Sequence, residues 1–164
     1  MHEAMSVFFR RWADWETAAE VTFSVYGERG SIDLLAYHRP TRRLLVIELK
    51  TLIVDVQGLL AQIDRYRRLA AGLARDRGWE PSGVSVWVVV AESRTNRRRL
   101  TLHRNVLRTA LPVDGHTMRQ WLAAPDRDIA ALSLLAATTP RTVLRVGRKR
   151  ASGRTIRRRT PVGG

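Results

Sequence analysis

Three residues stand out for the chemistry their types and spacing allow: Asp33, Glu48 and Lys50. The chain writes positive charge almost wholly as arginine, with 27 Arg and two Lys among its 29 basic residues, and Lys50 is the only lysine before the C-terminal tail. With seven Glu and two Lys in 164 residues, about 0.1 Glu-x-Lys triplets arise by chance, so Glu48-Leu49-Lys50 is hard to credit to composition. On a strand, alternate residues share a face, so Glu48 and Lys50 lie about 6–7 Å apart with Leu45, Ile47 and Leu49 on the reverse. The loop HRPTRR at 38–43, centred between Pro40 and Thr41, then sets Asp33 opposite Glu48. Two neighbouring carboxylates repel unless one is protonated or a cation lies between them. A hard divalent ion such as Mg2+ takes a few carboxylates together with water and phosphate oxygens. Asp33, Glu48 and the Leu49 carbonyl could supply the protein's share of its ligands. Lys50, on the same edge, would offset charge at phosphorus or lower the pKa of an attacking water. The chemistry indicated is metal-assisted phosphodiester hydrolysis. The competing reading is a structural Glu48–Lys50 salt bridge beside an unrelated Asp33.

The elements that must position these residues can be read from periodicity. Met5, Phe8, Phe9 and Trp12 fall at helical spacing over 2–12, and the start of this helix, with no loop or cap before it, points to further sequence upstream. Residues 19–26 alternate apolar and polar as a strand, GERG at 27–30 is a turn, and strands follow at 31–37 and 44–50. Val56, Leu59, Leu60, Ile63, Ala70 and Leu73 mark one face of a long helix over about 52–75. The apolar, β-branched run VSVWVVVA at 84–91 is a strand covered on both faces, Trp87 included. Residues 95–111 and parts of 114–137 are predicted helical. The expectation is an α/β domain over 1–138, built on a mixed four-stranded sheet with flanking helices, followed by a disordered tail over 139–164.

The match of Ser31-Ile32-Asp33 on one strand and Leu45-Val46-Ile47-Glu48-Leu49-Lys50 on the next resembles the PD-(D/E)XK nuclease superfamily. The resemblance covers roughly residues 2–91 and implies its αβββαβ core, the restriction-endonuclease-like fold. It implies a DNA nuclease dependent on Mg2+ or Mn2+, with Asp33 and Glu48 as metal ligands and Lys50 as the catalytic lysine. Many members add an acid from the first helix; Glu3 holds that place by position, with Glu16 and Glu20 as rivals. Gln62-Ile63-Asp64-Arg65-Tyr66 resembles the Gln-x-x-x-Tyr element of one branch, where Gln62 would orient the lysine or hold a phosphate; an ordinary amphipathic helix surface would look the same. The stretch 20–51 also resembles a bacterial version found behind helix-turn-helix domains, so the implied partners include such a domain and a second copy of the chain. Members that have lost catalysis make a nucleic-acid-binding or regulatory module the alternative function.

Charge points the same way. The net charge is +14, and residues 141–164 hold nine basic residues and no acidic one. Arg148, Lys149 and Arg150 lie at the centre of that tail, which suits non-specific contact with a phosphate backbone, or merely keeps the chain soluble. Arg97, Arg104 and Arg108 form one stripe if 95–111 is a single helix, a second candidate DNA contact set against a solvated face. With no cysteine there is no disulfide framework and no Cys-ligated metal. The four histidines are isolated, without metal-ligand spacing, and are read as surface or partly buried residues. No phosphate-cradling loop, dinucleotide fingerprint or Gly-x-Ser-x-Gly elbow occurs. Apolar runs of about eight residues are too short to span a membrane, and the first residues lack the features of a signal peptide, so a soluble cytoplasmic protein is expected.

Overall fold

A computed structural model describes residues 1–136. The chain runs α1 (His2–Phe9), β1 (Trp15–Val25), β2 (Glu28–His38), β3 (Arg43–Lys50), α2 (Val56–Arg75), β4 (Gly83–Ala91), α3 (Arg94–Leu102), α4 (Arg104–Ala110), α5 (Gly115–Ala123) and β5 (Ala130–Leu135). The strands form one sheet in the order β1-β2-β3-β4-β5. The first three make an antiparallel meander, whereas β4 runs parallel to β3 and β5 parallel to β4. This is an α/β fold with a mixed sheet of five strands, not four. The extra strand lies in a stretch expected to be partly helical. Its residues, AALSLL, carry no β-branched side chain, so local propensity does not mark it. It is a strand because β4 offers it a ladder, from Val86–Ala130 to Ala91–Leu135. No helix among the described residues is long and apolar enough to cross a membrane.

Alternation along β3 divides the core. Leu44 and Val46 pack with Ile63, Tyr66, Ala70 and Leu73 of α2. Leu45, Ile47 and Leu49 pack with Met5 and Phe9 of α1 and with Met118, Trp121 and Leu122 of α5. Both faces of β4 are covered likewise, which explains its unbroken apolar run. Each such side chain, once buried, contributes roughly 1.5–3 kcal/mol, and truncating Ile47, which is fully buried, to Ala would cost about 2–5 kcal/mol. Helix α2 begins at Val56, four residues later than predicted, because the Asp55 carboxylate accepts the Gln57 N–H and caps it. Residues 51–55 are therefore a loop directly beyond Lys50.

The β2–β3 register is the one a symmetric 38–43 loop predicts, with Leu34 opposite Ile47 and His38 opposite Arg43. One irregularity interrupts the meander. Leu35 and Tyr37 face α2 while Leu34 and Ala36 face α1, yet Ile32 also faces α2, so β2 changes parity at Asp33. On β1, Ala18 faces α2, and so do Val21 and Phe23, so the parity changes there too. Glu20, between the Ala19–Leu34 and Val21–Ile32 pairs and so level with Asp33, sits at φ 50°. A left-handed glutamate inside a strand is strained. It marks the level at which the meander turns Asp33 out of its regular alternation.

Candidate functional site

Glu48 and Lys50 share the parity of Leu44 and Val46 and so lie on the α2 side at the end of β3. The Lys50 ammonium meets Glu48 Oε1 at 2.6 Å. It also donates to Gln62 Oε1 at 3.1 Å. Gln62 in turn donates to the Tyr66 hydroxyl at 2.6 Å, and that hydroxyl donates to the Ser31 carbonyl at 2.8 Å. One turn of α2 separates Gln62 from Tyr66, so the helix carries both links of a chain that runs from the lysine back to β2. Tyr66 is buried, edge-on to Phe23, which fixes its ring.

The β2–β3 ladder ends at Leu34–Ile47, one step short of Asp33 and Glu48. Asp33 uses the break. Its Oδ2 accepts the Leu49 N–H at 2.7 Å, while Oδ1 faces Nε2 of His2 at 3.8 Å, beyond hydrogen-bond range. Glu48 is only 3 % exposed, and its Oε2 is buried without any hydrogen-bond partner. Burial pushes its carboxyl pKa up and the Asp33 charge adds to this; the hydrogen bond and charge of Lys50 pull the other way without cancelling it. The two carboxylates thus offer one oxygen each, Asp33 Oδ1 and Glu48 Oε2, that no protein hydrogen-bond donor occupies. Carboxylate oxygens of this kind are what a hard divalent cation takes, and one bound at Glu48 would offset its desolvation penalty. Among the described residues no three His, Asp or Glu side chains stand together as a ready-made metal cage. Water and phosphate oxygens would have to complete any coordination shell.

The remaining expected residues fall as follows. Glu3 is exposed on α1, and it is His2, read from sequence only as an isolated surface or partly buried histidine, whose Nε2 lies toward Asp33. Leu49 reaches the site through its amide. The single helix expected over 95–111 is two helices: His103, at φ −102° and ψ 19°, separates α3 from α4. Leu107 and Leu111 lie in the α2-side core, and the break falls between Arg97 on α3 and Arg104 and Arg108 on α4, so the three do not share one helix. Arg97 pairs with Glu92, whereas Arg104 and Arg108 border a separate groove of about 620 Å3 with Leu107 and Asp114. Arg148, Lys149, Arg150 and the rest of the expected tail lie outside the described residues.

Sequence reasoning missed Asn96, which is fully buried. Its Oδ1 accepts the Ile53 N–H at 3.1 Å, and its Nδ2 donates to the carbonyls of Thr51 at 2.9 Å and Ala91 at 2.7 Å. Arg99 adds a hydrogen bond to the Ile53 carbonyl. Together they fix the loop beyond Lys50 to the end of β4. The one available signal was Ser93, three residues before Asn96 at a helix start, whose hydroxyl caps the Asn96 N–H. No protein-family model, curated protein or solved structure matches this chain.

Proposed function

We propose that this chain is a metal-dependent nuclease of the PD-(D/E)XK kind, hydrolysing phosphodiester bonds in DNA. The observation that carries the reading is the buried Oε2 of Glu48, without a hydrogen-bond partner, beside one of only two lysines in a chain with 27 arginines. A structural ion pair would gain nothing from an unsatisfied buried carboxylate oxygen, which costs about 1–3 kcal/mol. A ligand oxygen must be left without a donor.

Asp33 Oδ1 and Glu48 Oε2 would hold Mg2+ or Mn2+. Such an ion, when bound, polarises a phosphoryl oxygen and eases deprotonation of a bound water. Lys50 places a positive charge where the phosphoryl group gains negative charge. Gln62, held by Tyr66, keeps the ammonium at that place, and the Leu49 N–H holds Asp33 Oδ2, which leaves Oδ1, on the side of His2, without a hydrogen-bond donor. The net charge of +14 favours a polyanionic substrate.

A catalytically inactive nucleic-acid-binding or regulatory module of the same fold is the second reading. It is favoured by the direct Lys50–Glu48 contact and by the absence of a third acid at the site among the described residues. Incubating wild type and Lys50→Ala with linear duplex, single-stranded and branched DNA in Mg2+, Mn2+ or EDTA separates the two. Cleavage that needs metal and falls by about 10²–10³-fold in the variant is expected. Intact DNA binding without cleavage of any substrate would overturn the nuclease in favour of the module.

A further inference from the structure

The loop beyond Lys50 has an unusual combination of properties. It is held rigidly: Asn96 binds Thr51 and Ile53, Arg99 binds Ile53, and Asp55 caps α2. Ile53 is buried, yet its neighbours Leu52 and Val54 are 44 % and 77 % exposed. A flexible loop could fold such side chains away; this one is fixed so that it presents them to solvent. They border a half-open pocket of about 260 Å3 whose wall also includes Lys50, Gly58, Leu59 and Gln62. Gly58 leaves that wall low. It occupies the first turns of α2, where glycine costs about 1 kcal/mol relative to alanine, and a Cβ there would meet Asp55 Oδ2 at 2.4 Å. The same glycine therefore preserves the cap and the opening.

Whatever fills this pocket is mostly apolar in contact and lies within reach of a group bound by the Lys50 ammonium. On the reading of Lys50 as the residue that faces the phosphoryl group, the group next along the substrate is a nucleoside. We infer that the Leu52–Val54 pocket receives one unstacked nucleobase beside the scissile phosphate, so that the site takes single-stranded or locally unpaired nucleic acid. A base within a duplex has both faces covered by its neighbours and cannot enter, whereas an unpaired base offers its face to apolar side chains at small cost. The two exposed side chains serve as the apolar contact that aromatic platforms provide elsewhere, and the pocket is continuous with the candidate catalytic group because Lys50 lines both.

The test uses the full chain in EDTA, so that binding is read without cleavage. A fluorescent oligonucleotide is titrated as a single strand and as the duplex of the same sequence, against wild type and the double variant Leu52→Ser, Val54→Ser. Both positions are exposed, so the melting temperature should stay near that of wild type. Wild type should favour the single strand, and the variant should lose about tenfold in single-strand affinity with duplex affinity unchanged. A single 2-aminopurine in the strand should change its emission on binding wild type and not the variant. Equal losses on both substrates, or none on either, would overturn the pocket's role even if metal-dependent cleavage is found. Failure of wild type to bind either form would overturn the nucleic-acid reading itself, and the pocket assignment with it.

Discussion

Removing the Asn96 side chain should unfasten the loop beside the candidate catalytic lysine at a cost that can be worked from its three hydrogen bonds. In Asn96→Ala the Ile53 N–H loses its acceptor. Ile53 is 2 % exposed, so that amide cannot readily reach water, and an orphaned buried donor costs about 1–3 kcal/mol. The carbonyls of Thr51 and Ala91 belong to exposed and half-exposed residues and can be rehydrated, so each loss costs nearer the net value of about 0.5–1.5 kcal/mol. Together these amount to about 4 kcal/mol, within a range of about 2–6, or roughly 8–16 °C in melting temperature for a chain of this size. Asn96→Asp discriminates. It keeps an acceptor for Ile53 but sets a carboxylate against two carbonyl oxygens, so it should be at least as damaging as alanine. Urea denaturation followed by tryptophan fluorescence measures both. A loss below about 1 kcal/mol in Asn96→Ala, or rescue by aspartate, would refute the clamp.

Two further outcomes follow from the site. Burial raises the Glu48 pKa, so this group's contribution to folding is complete below the ordinary glutamate value of about 4.3 and is lost as pH rises through its elevated folded value. Glutamine does not titrate; in EDTA, Glu48→Gln should therefore gain stability relative to wild type as pH is raised across that window, with Lys50, Asp33 and His2 unchanged around it. Urea midpoints at a series of pH values check this, and a difference that stays flat would refute it. Tyr66→Phe keeps the ring against Phe23 but strips the hydroxyl that donates to Ser31 and accepts from Gln62, which should cost about 1–2 kcal/mol in chemical denaturation; a neutral result would mean that the hydroxyl is not holding that chain.

What could be read from sequence followed from short-range rules. The meander, its register and the pairing of Gln62 with Tyr66 rest on alternation, a symmetric loop and helical spacing, each legible within a few residues. The errors lie where tertiary structure overrides local preference. AALSLL has the composition of a helix and becomes β5 because β4 needs a neighbour. Nothing in the sequence 95–111, with neither Gly nor Pro, announces the break at His103, beyond which Leu107 and Leu111 are buried in the core. Of the site, Asp33, Glu48 and Lys50 could be found because Lys is rare here. Asn96 could not: its partners are three backbone groups 5 to 45 residues away. The direction of His2 toward Asp33 depends on how α1 packs onto the sheet through Met5 and Phe9, which no local pattern encodes.

The distribution of irregularities weighs between a structural ion pair and a working site. A buried ion pair kept for stability succeeds only when its remaining lone pairs are satisfied, because desolvating two charges otherwise outweighs their attraction. Here the opposite holds at one end of the sheet. The β2–β3 ladder stops, two strands change parity, Glu20 takes a left-handed conformation, and Glu48 keeps an oxygen with no donor. Elsewhere the same strands obey the rules: Leu34 to His38 pair in register with Arg43 to Ile47, and β3 and β4 form a parallel ladder without interruption from Arg43 to Lys50. Departures from local consistency are costly and persist where they do something. All of these lie within one or two residues of Asp33 and Glu48 or directly opposite them. Left-handed residues also occur in the turns at Tyr26 and Arg42, but the ladder's end, the parity change and Glu20 meet inside the sheet at Asp33 and Glu48. On the nuclease reading proposed above, they leave those carboxylates free for a cation as well as for Lys50.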